Sequence, residues 1–321
     1  MDVTVAICMY NAEKYIEETL SCILAQTMQD FHLLIVNDCS IDRSVELVRR
    51  FFRQHPRQHE LVNLPANGGL CAGRRFVEEY ATTKYLLFVD ADDRPLPYFV
   101  EKLYRKIISD PDLIAVGCYL EYIDLQGKKT GGGIFIGEVT KENFYRKAKN
   151  EKLIFMASTS IYNRLVALSV GGHNIIGFPA GKPRYQDLCE DLDLWTRMSD
   201  LYTSGKAIVV IPDILYQYRK GNGMSSSSLG MMLRMGHIKT NLKRRRRGLE
   251  EFSFIDYRDQ LSSDELLCLE KDVCAADALR RAYYHLRAGH IMAGIKDLFL
   301  SLKSNPHYIV DKVKHNLLKM K

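Results

Sequence analysis

Asp90, Asp92 and Asp93 put three carboxylates within four positions, directly after the apolar run Tyr85-Leu86-Leu87-Phe88-Val89. Charges that close repel one another, and a hard divalent cation relieves the repulsion. Mg²⁺ or Mn²⁺ typically takes one or two carboxylates and completes its shell with phosphate oxygens and water. The alternative is an acidic turn capping a helix that starts near Pro97. Asp38 follows a second apolar run, His32 to Asn37. There a carboxylate can accept from a nucleobase N–H or a ribose hydroxyl, or close an Asx turn. Asn67-Gly68-Gly69 leads into Gly73-Arg74-Arg75, a glycine-bearing turn opening a helix that carries two guanidinium groups. Such a turn suits a phosphate, with solvent-facing arginines as the plain alternative. Further on, Asp187, Glu190, Asp191 and Asp193 surround the start of a helical pattern bearing Leu192, Leu194 and Trp195. Acids in a first helical turn complement the helix dipole, and a carboxylate at such a junction can also take a proton from an attacking hydroxyl.

Strands and helices have to alternate to bring these groups together. Val3 to Met9, Phe31 to Asn37, Leu61 to Leu64 and Tyr85 to Asp90 have strand character, and helical patterns run from Ala12 to Gln26, from Asp42 to His55 and up to Tyr80. That order predicts a mostly parallel, doubly wound α/β sheet whose ligand sits beyond the carboxyl ends of the strands. The first helix should bury Tyr15, Ile16, Thr19, Leu20, Ile23 and Leu24, with Asn11 as its N-cap. Looser patterns at Ala115–Ile123, Phe155–Tyr162 and Ala207–Ile211 predict a mixed, more antiparallel extension, with a helix from Asp191 to Tyr202 and a loop at Gly131-Gly132-Gly133. After Ser225–Ser228 the patterns turn helical, dividing the chain into a catalytic domain, 1–228, and a helical region, 229–321.

With 46% hydrophobic and 26% charged residues, the 321-residue chain has ordinary globular usage. No run approaches the roughly 20 apolar residues of a membrane span, and the start lacks the pattern of a secretory signal, so cytosolic residence is expected. The eight cysteines show no C-x-x-C spacing and read as reduced thiols rather than zinc ligands. The net charge of +6 is densest at Lys243–Arg247, a run that suits a solvated helix face or the anionic inner face of a membrane. The terminal pattern Ile309, Val310, Val313, Leu317, with lysines around it, suits core packing or a membrane surface.

Over about residues 3 to 225 the chain resembles the family 2 glycosyltransferases with the GT-A fold, a Rossmann-like α/β sheet with a mixed-sheet extension. The resemblance rests on pieces in family order: Val3–Asn11, Gln26-Thr27, Leu34–Asp42, Asn67–Arg74, Phe88–Asp93 and Glu190–Arg197. It implies a nucleotide-sugar donor, most commonly UDP-linked, with Mn²⁺ or Mg²⁺ as cofactor. Tyr10, Asp38 and Asn67 would hold the nucleotide, Asp90 the ribose region and the metal, Asp92 the metal, and Arg74 the diphosphate. Asp191, beside Glu190, would be the catalytic base of an inverting transfer to a glycan or lipid-linked hydroxyl, in cell-envelope polysaccharide synthesis. Departures are Asn37 where an acid is common, Arg75 where an Asn is common, and no histidine in the closing segment Tyr216–Ser225.

A nucleotidyltransferase would want a glycine-rich phosphate loop after the first strand, and a dinucleotide enzyme its G-x-G-x-x-G; Cys8-Met9-Tyr10-Asn11 has no glycine. A non-catalytic protein holding an anionic surface through Lys243–Arg247 is the remaining alternative. No nucleic-acid module is recognisable, and no nucleic-acid partner is expected.

Overall fold

The computed structural model describes residues 1–220, 229–287 and 289–307. Strands β1 (Val3–Met9), β2 (His32–Asn37), β3 (Glu60–Asn63) and β4 (Tyr85–Asp90) alternate with helices α1 (Ile16–Leu24), α2 (Ser44–Gln54) and α3 (Leu70–Tyr80). Then follow β5 (Arg94–Pro95), α4 (Phe99–Ile108), β6 (Leu113–Ile123), β7 (Lys129–Ile134), α5 (Lys141–Lys149), β8 (Ile161–Asn163), α6 (Arg164–Ser169), α7 (Glu190–Met198) and β9 (Ala207–Arg219). Helices α8 (Leu229–Arg246), α9 (Phe254–Asp259), α10 (Ser263–Arg287) and α11 (Ile291–Ser304) complete the described chain.

One sheet runs in the order β3-β2-β1-β4-β8-β6-β9-β5, with β7 beside β6. The first four strands are mutually parallel, and β1, β2 and β4 are almost wholly buried, as continuous apolar runs covered on both faces must be, while β3 forms the more open edge. Met9 pairs with Asn37 and Cys8 with Asp90, so the carboxyl ends of β1, β2 and β4 finish level at one sheet edge. The antiparallel pairs lie on the other side, where β8 joins β4 to β6. β9 runs parallel to β6 along its length and antiparallel to β5, which brings Gln217 against Arg94.

Several local expectations are corrected. Asn11 does not cap α1: it takes a left-handed conformation (φ 50°), its Oδ1 accepts from the Ile41 amide at 2.9 Å, and the helix starts only at Ile16. The predicted strand from Phe155 shrinks to β8, and residues 155–159 form a loop. Gly131–Gly133 lie within β7, whereas β9 extends eight residues beyond the predicted end at Ile211 because β6 and β5 offer pairing partners. The helix predicted to Tyr202 ends at Met198 and tightens into a 3₁₀ turn.

Helix α8 buries Leu233, Arg234, His237, Ile238, Asn241 and Leu242. The Arg234 Nε donates to the Leu188 carbonyl at 3.2 Å, and its guanidinium lies 4.6 Å from the Phe178 ring centre. The basic run is therefore not one solvated face. Arg245 and Arg246 both donate to Asp200, at 2.5 and 2.8 Å, while Arg244 donates to the Glu250 carbonyl and covers Phe252; only Lys243 and Arg247 are exposed. These bonds hold α8 to the turn after α7. Ser225–Ser228, where the sequence sets its boundary, and the Ile309–Leu317 pattern lie outside the described residues.

Candidate active site

The acidic turn between β4 and β5 is built by neighbours distant in sequence. Asp93 is 1% exposed, and its Oδ1 accepts from the Arg219 amide at 2.7 Å. Arg219, itself buried, donates through Nε to the Asp92 carbonyl at 2.6 Å, through Nη1 to the Asp124 carbonyl and through Nη2 to Glu18 of α1. From the same helix Thr19 donates to the carbonyls of Ala91 (3.1 Å) and Asp93 (2.8 Å), so the one hydroxyl on the buried stripe of α1 serves this turn. Gln26 latches the following loop, donating to the Leu96 carbonyl and accepting from the Val100 amide.

The three acids are thereby sorted. Burial, then the charges of Asp90 and Asp92, push the Asp93 carboxyl well above the usual range, which suits a structural group. Asp92 reaches solvent, yet the desolvation of its carboxyl and the Asp90 charge beside it push it up to about 6. Asp90 accepts from Arg74 Nη2 at 3.1 Å.

Arg74 is 2% exposed and bridges two elements: its Nη1 donates to Glu190 Oε1, at the start of α7, at 2.6 Å. Burial disfavours its charge, but Glu190 and Asp90 together hold it above the ordinary guanidinium value. With one terminal nitrogen on each of two carboxylates, Arg74 ties β4 to α7 while lining a cavity that these groups share. Burial, then the charge of Asp191, push Glu190 upward against the pull of Arg74. Burial likewise raises Asp191, against the pull of Arg74.

The glycine-bearing turn before α3 is also taken. The amides of Gly68 and Gly69 donate to the two oxygens of Asp38 at 2.8 and 2.9 Å, and Asn67 Nδ2 donates to the Asp38 carbonyl. The Cys71 amide, in the first turn of α3, donates to Asp187 Oδ1 at 2.8 Å. An anion does sit at this helix N-terminus, but it is the protein's own carboxylate rather than a phosphate. Gly69 has φ +90°, and a Cβ there would collide with Asp187, so glycine is required. Asp193 leaves the candidate set too, since its Oδ2 accepts from Arg197 at 3.0 Å.

A cavity of about 320 Å³ opens among these groups. Asp90, Arg74, Glu190, Asp191 and Asp187 line its polar side. Tyr10, Asp38, Asn67 and Asp92 are not on its walls; Tyr10 is exposed where β1 ends. The apolar side comes from Leu120 and Tyr122 of β6, Phe155 and Met156 of the loop, and Met231 and Met235 of α8. Sequence reading missed this wall: its residues are spread over three segments without shared spacing, and only β6–β9 pairing and α8 docking collect them. Of the four non-glycine residues with positive φ among the described residues, three, Asn11, Cys39 and Cys189, directly follow Tyr10, follow Asp38 or precede Glu190. Strained backbone of this kind gathers where side chains must be aimed.

A family model, "Glycosyl transferase family 2", matches residues 4–169, more than half of the chain. The chain belongs to this family. Similar proteins include the glycosyltransferase GlyA of Streptococcus pneumoniae, 30% identical over 48% of the chain and 21% of GlyA. Another is a teichoic acid poly(glycerol phosphate) polymerase of Staphylococcus epidermidis, 35% identical over 35% of the chain and 16% of the polymerase. The match thus spans about a fifth or less of either relative. Residues 1–349 of S. aureus TarS, solved with UDP-GlcNAc, share the fold at TM-score 0.57 and 20% identity, over 96% of the chain and 92% of TarS. Residues 4–169 thus carry a family 2 glycosyltransferase domain, and the proteins similar to it include a teichoic acid polymerase.

Proposed function

We propose that the chain transfers a sugar, with inversion, from a nucleoside-diphosphate donor, UDP-linked by the commonest habit of the family, to a hydroxyl of a glycan or lipid-linked acceptor in the cell envelope. The observation that carries this reading is the meeting of Asp90, Arg74, Glu190 and Asp191 in one cavity. Asp191 is the general base: its buried carboxyl, raised above the ordinary range, binds a proton more readily near neutral pH than a solvated aspartate does. It takes the acceptor hydroxyl's proton as that oxygen bonds to the anomeric carbon and the bond to the diphosphate breaks on the opposite face. Glu190, held by Arg74, fixes the start of α7 and the aim of Asp191. Tyr10 stacks on the nucleotide base, and Asp38 with Asn67 holds the turn beneath it.

Asp92 and Asp90 fit Mn²⁺ or Mg²⁺. Asp92 is exposed with the Asp90 charge beside it, and such a crowded carboxylate pair, sharing its ion with donor phosphates, is what these cations accept. When bound, the ion would neutralise charge on the departing diphosphate.

The test is a nucleotide screen by thermal shift with Mn²⁺, joined to turnover. Asp92→Ala should lose the nucleotide-dependent shift. Asp191→Asn should keep it while turnover falls roughly a hundredfold to ten-thousandfold. Retained turnover in Asp191→Asn would remove the base assignment, and indifference to every nucleotide would favour an anionic-surface binding protein instead.

A further inference from the structure

We propose that α11 seats the protein on an anionic phospholipid surface through its solvent face. Ile291, Met292, Ile295, Phe299 and Leu302 are all exposed, Met292 at 80% and Phe299 at 69%. At about 100° per residue they fall within an arc of about 100° on one side of the helix. Lys296 and Lys303, also exposed, border that arc on one edge. The acid of this helix, Asp297, lies on another side, accepting from Arg281 at 3.2 Å and facing His285 at 3.0 Å. The inward side is fixed by close packing on α10: Ser301 Oγ donates to the Ala275 carbonyl at 2.7 Å, and Gly294 is so near Leu286 that a Cβ would clash.

An outward face of large apolar side chains edged by lysine, with no carboxylate on it, has the pattern of a helix lying in a membrane interface. The apolar groups enter the acyl boundary while the lysine stems reach back to lipid phosphates. Charge decides between lipid and a second copy of the chain. A self-paired face would need acidic groups opposite Lys296 and Lys303, and this face carries none. The sequence beyond His307 carries four lysines against one aspartate. The anionic contact expected of Lys243–Arg247 is thus reassigned to α11, since Arg244 to Arg246 are occupied within the protein.

The inference is independent of the transfer reaction and is tested by flotation of the full chain with vesicles. Wild type should float with phosphatidylcholine vesicles containing about 30% phosphatidylglycerol, remain behind with phosphatidylcholine alone, and be released as salt rises. Met292→Glu/Phe299→Glu should weaken partitioning at least about tenfold, and Lys296→Glu/Lys303→Glu about fivefold for each lysine. Unchanged melting temperatures would show that both variants fold. Failure of wild type to float, or variants that float as well as wild type, would overturn the proposal. So would a dimer by light scattering that the Met292→Glu/Phe299→Glu pair dissolves without any vesicle binding, or flotation that depends on residues 308–321 and ignores the face variants.

Discussion

Arg74 is the side chain on which the candidate site turns. Its two carboxylate partners come from β4 and α7, and its own near-complete burial means that removing it leaves Glu190 facing an empty position in a dry setting. Arg74→Met should cost about 3–5 kcal/mol, measured by chemical denaturation, because an uncompensated buried carboxylate is the expensive outcome. Replacing Glu190 by Gln in the same background should recover part of that loss, since the stranded charge is then gone. Arg74→Lys should recover less, a single ammonium being unable to span both partners. The residue types at this site were legible in the sequence: Asp90, Arg74, Glu190 and Asp191 were all singled out. Their partnerships were not. Nothing in Gly73-Arg74-Arg75 distinguishes an arginine aimed at a ligand from one aimed at two carboxylates of its own chain. The same holds for Asp38 and Asp187, whose oxygens bind backbone amides 30 and 116 residues away.

At the level of elements, α3 is held to the chain beyond β8 by a buried polar cluster. Glu78, 0% exposed, accepts from the His173 amide at 2.7 Å, from His173 Nδ1 at 2.8 Å and from the Tyr162 hydroxyl at 2.9 Å. Burial would raise the Glu78 carboxyl, but the His173 charge and these bonds prevail and hold it below its ordinary 4.5. A carboxyl depressed in the folded state stabilises the fold fully above its unfolded value and loses that contribution as pH falls through its folded value. Glu78→Gln should therefore destabilise by about 2–4 kcal/mol near neutral pH. The gap in melting temperature from wild type should close on the acid side, between about pH 5 and pH 3. The parallel half of the sheet was readable because β1, β2 and β4 are continuous buried apolar runs. The extension was not: β7 is half glycine by composition, Lys129-Thr130-Gly131-Gly132-Gly133-Ile134, and exists through pairing with β6.

For the whole molecule, helix α8 is part of the cavity rather than an appendage. Met231 and Met235 form its wall, and Asp200 holds the far end of the same helix through Arg245 and Arg246. Asp200→Ala should lower stability by about 1–2 kcal/mol, since the pair is partly exposed. It should also speed hydrogen exchange along residues 229–246 more than in β1 or β4; uniform exchange would show that α8 docks independently of these bonds. The basic run misled sequence reading because five cations in a row look alike until their partners are known. The Arg219 clamp, finally, bears on the order of synthesis. The acidic turn at residues 90–93 leaves the ribosome long before the residue that holds it, and the Asp93 carboxyl has no amide to bind until β9 has emerged and paired with β6 and β5. A nascent chain ending anywhere short of Arg219 would have its first four strands available but its acidic turn unset. In pulse-labelled exchange the amides of residues 91–94 should gain protection with those of β9, well after those of β1 and β2.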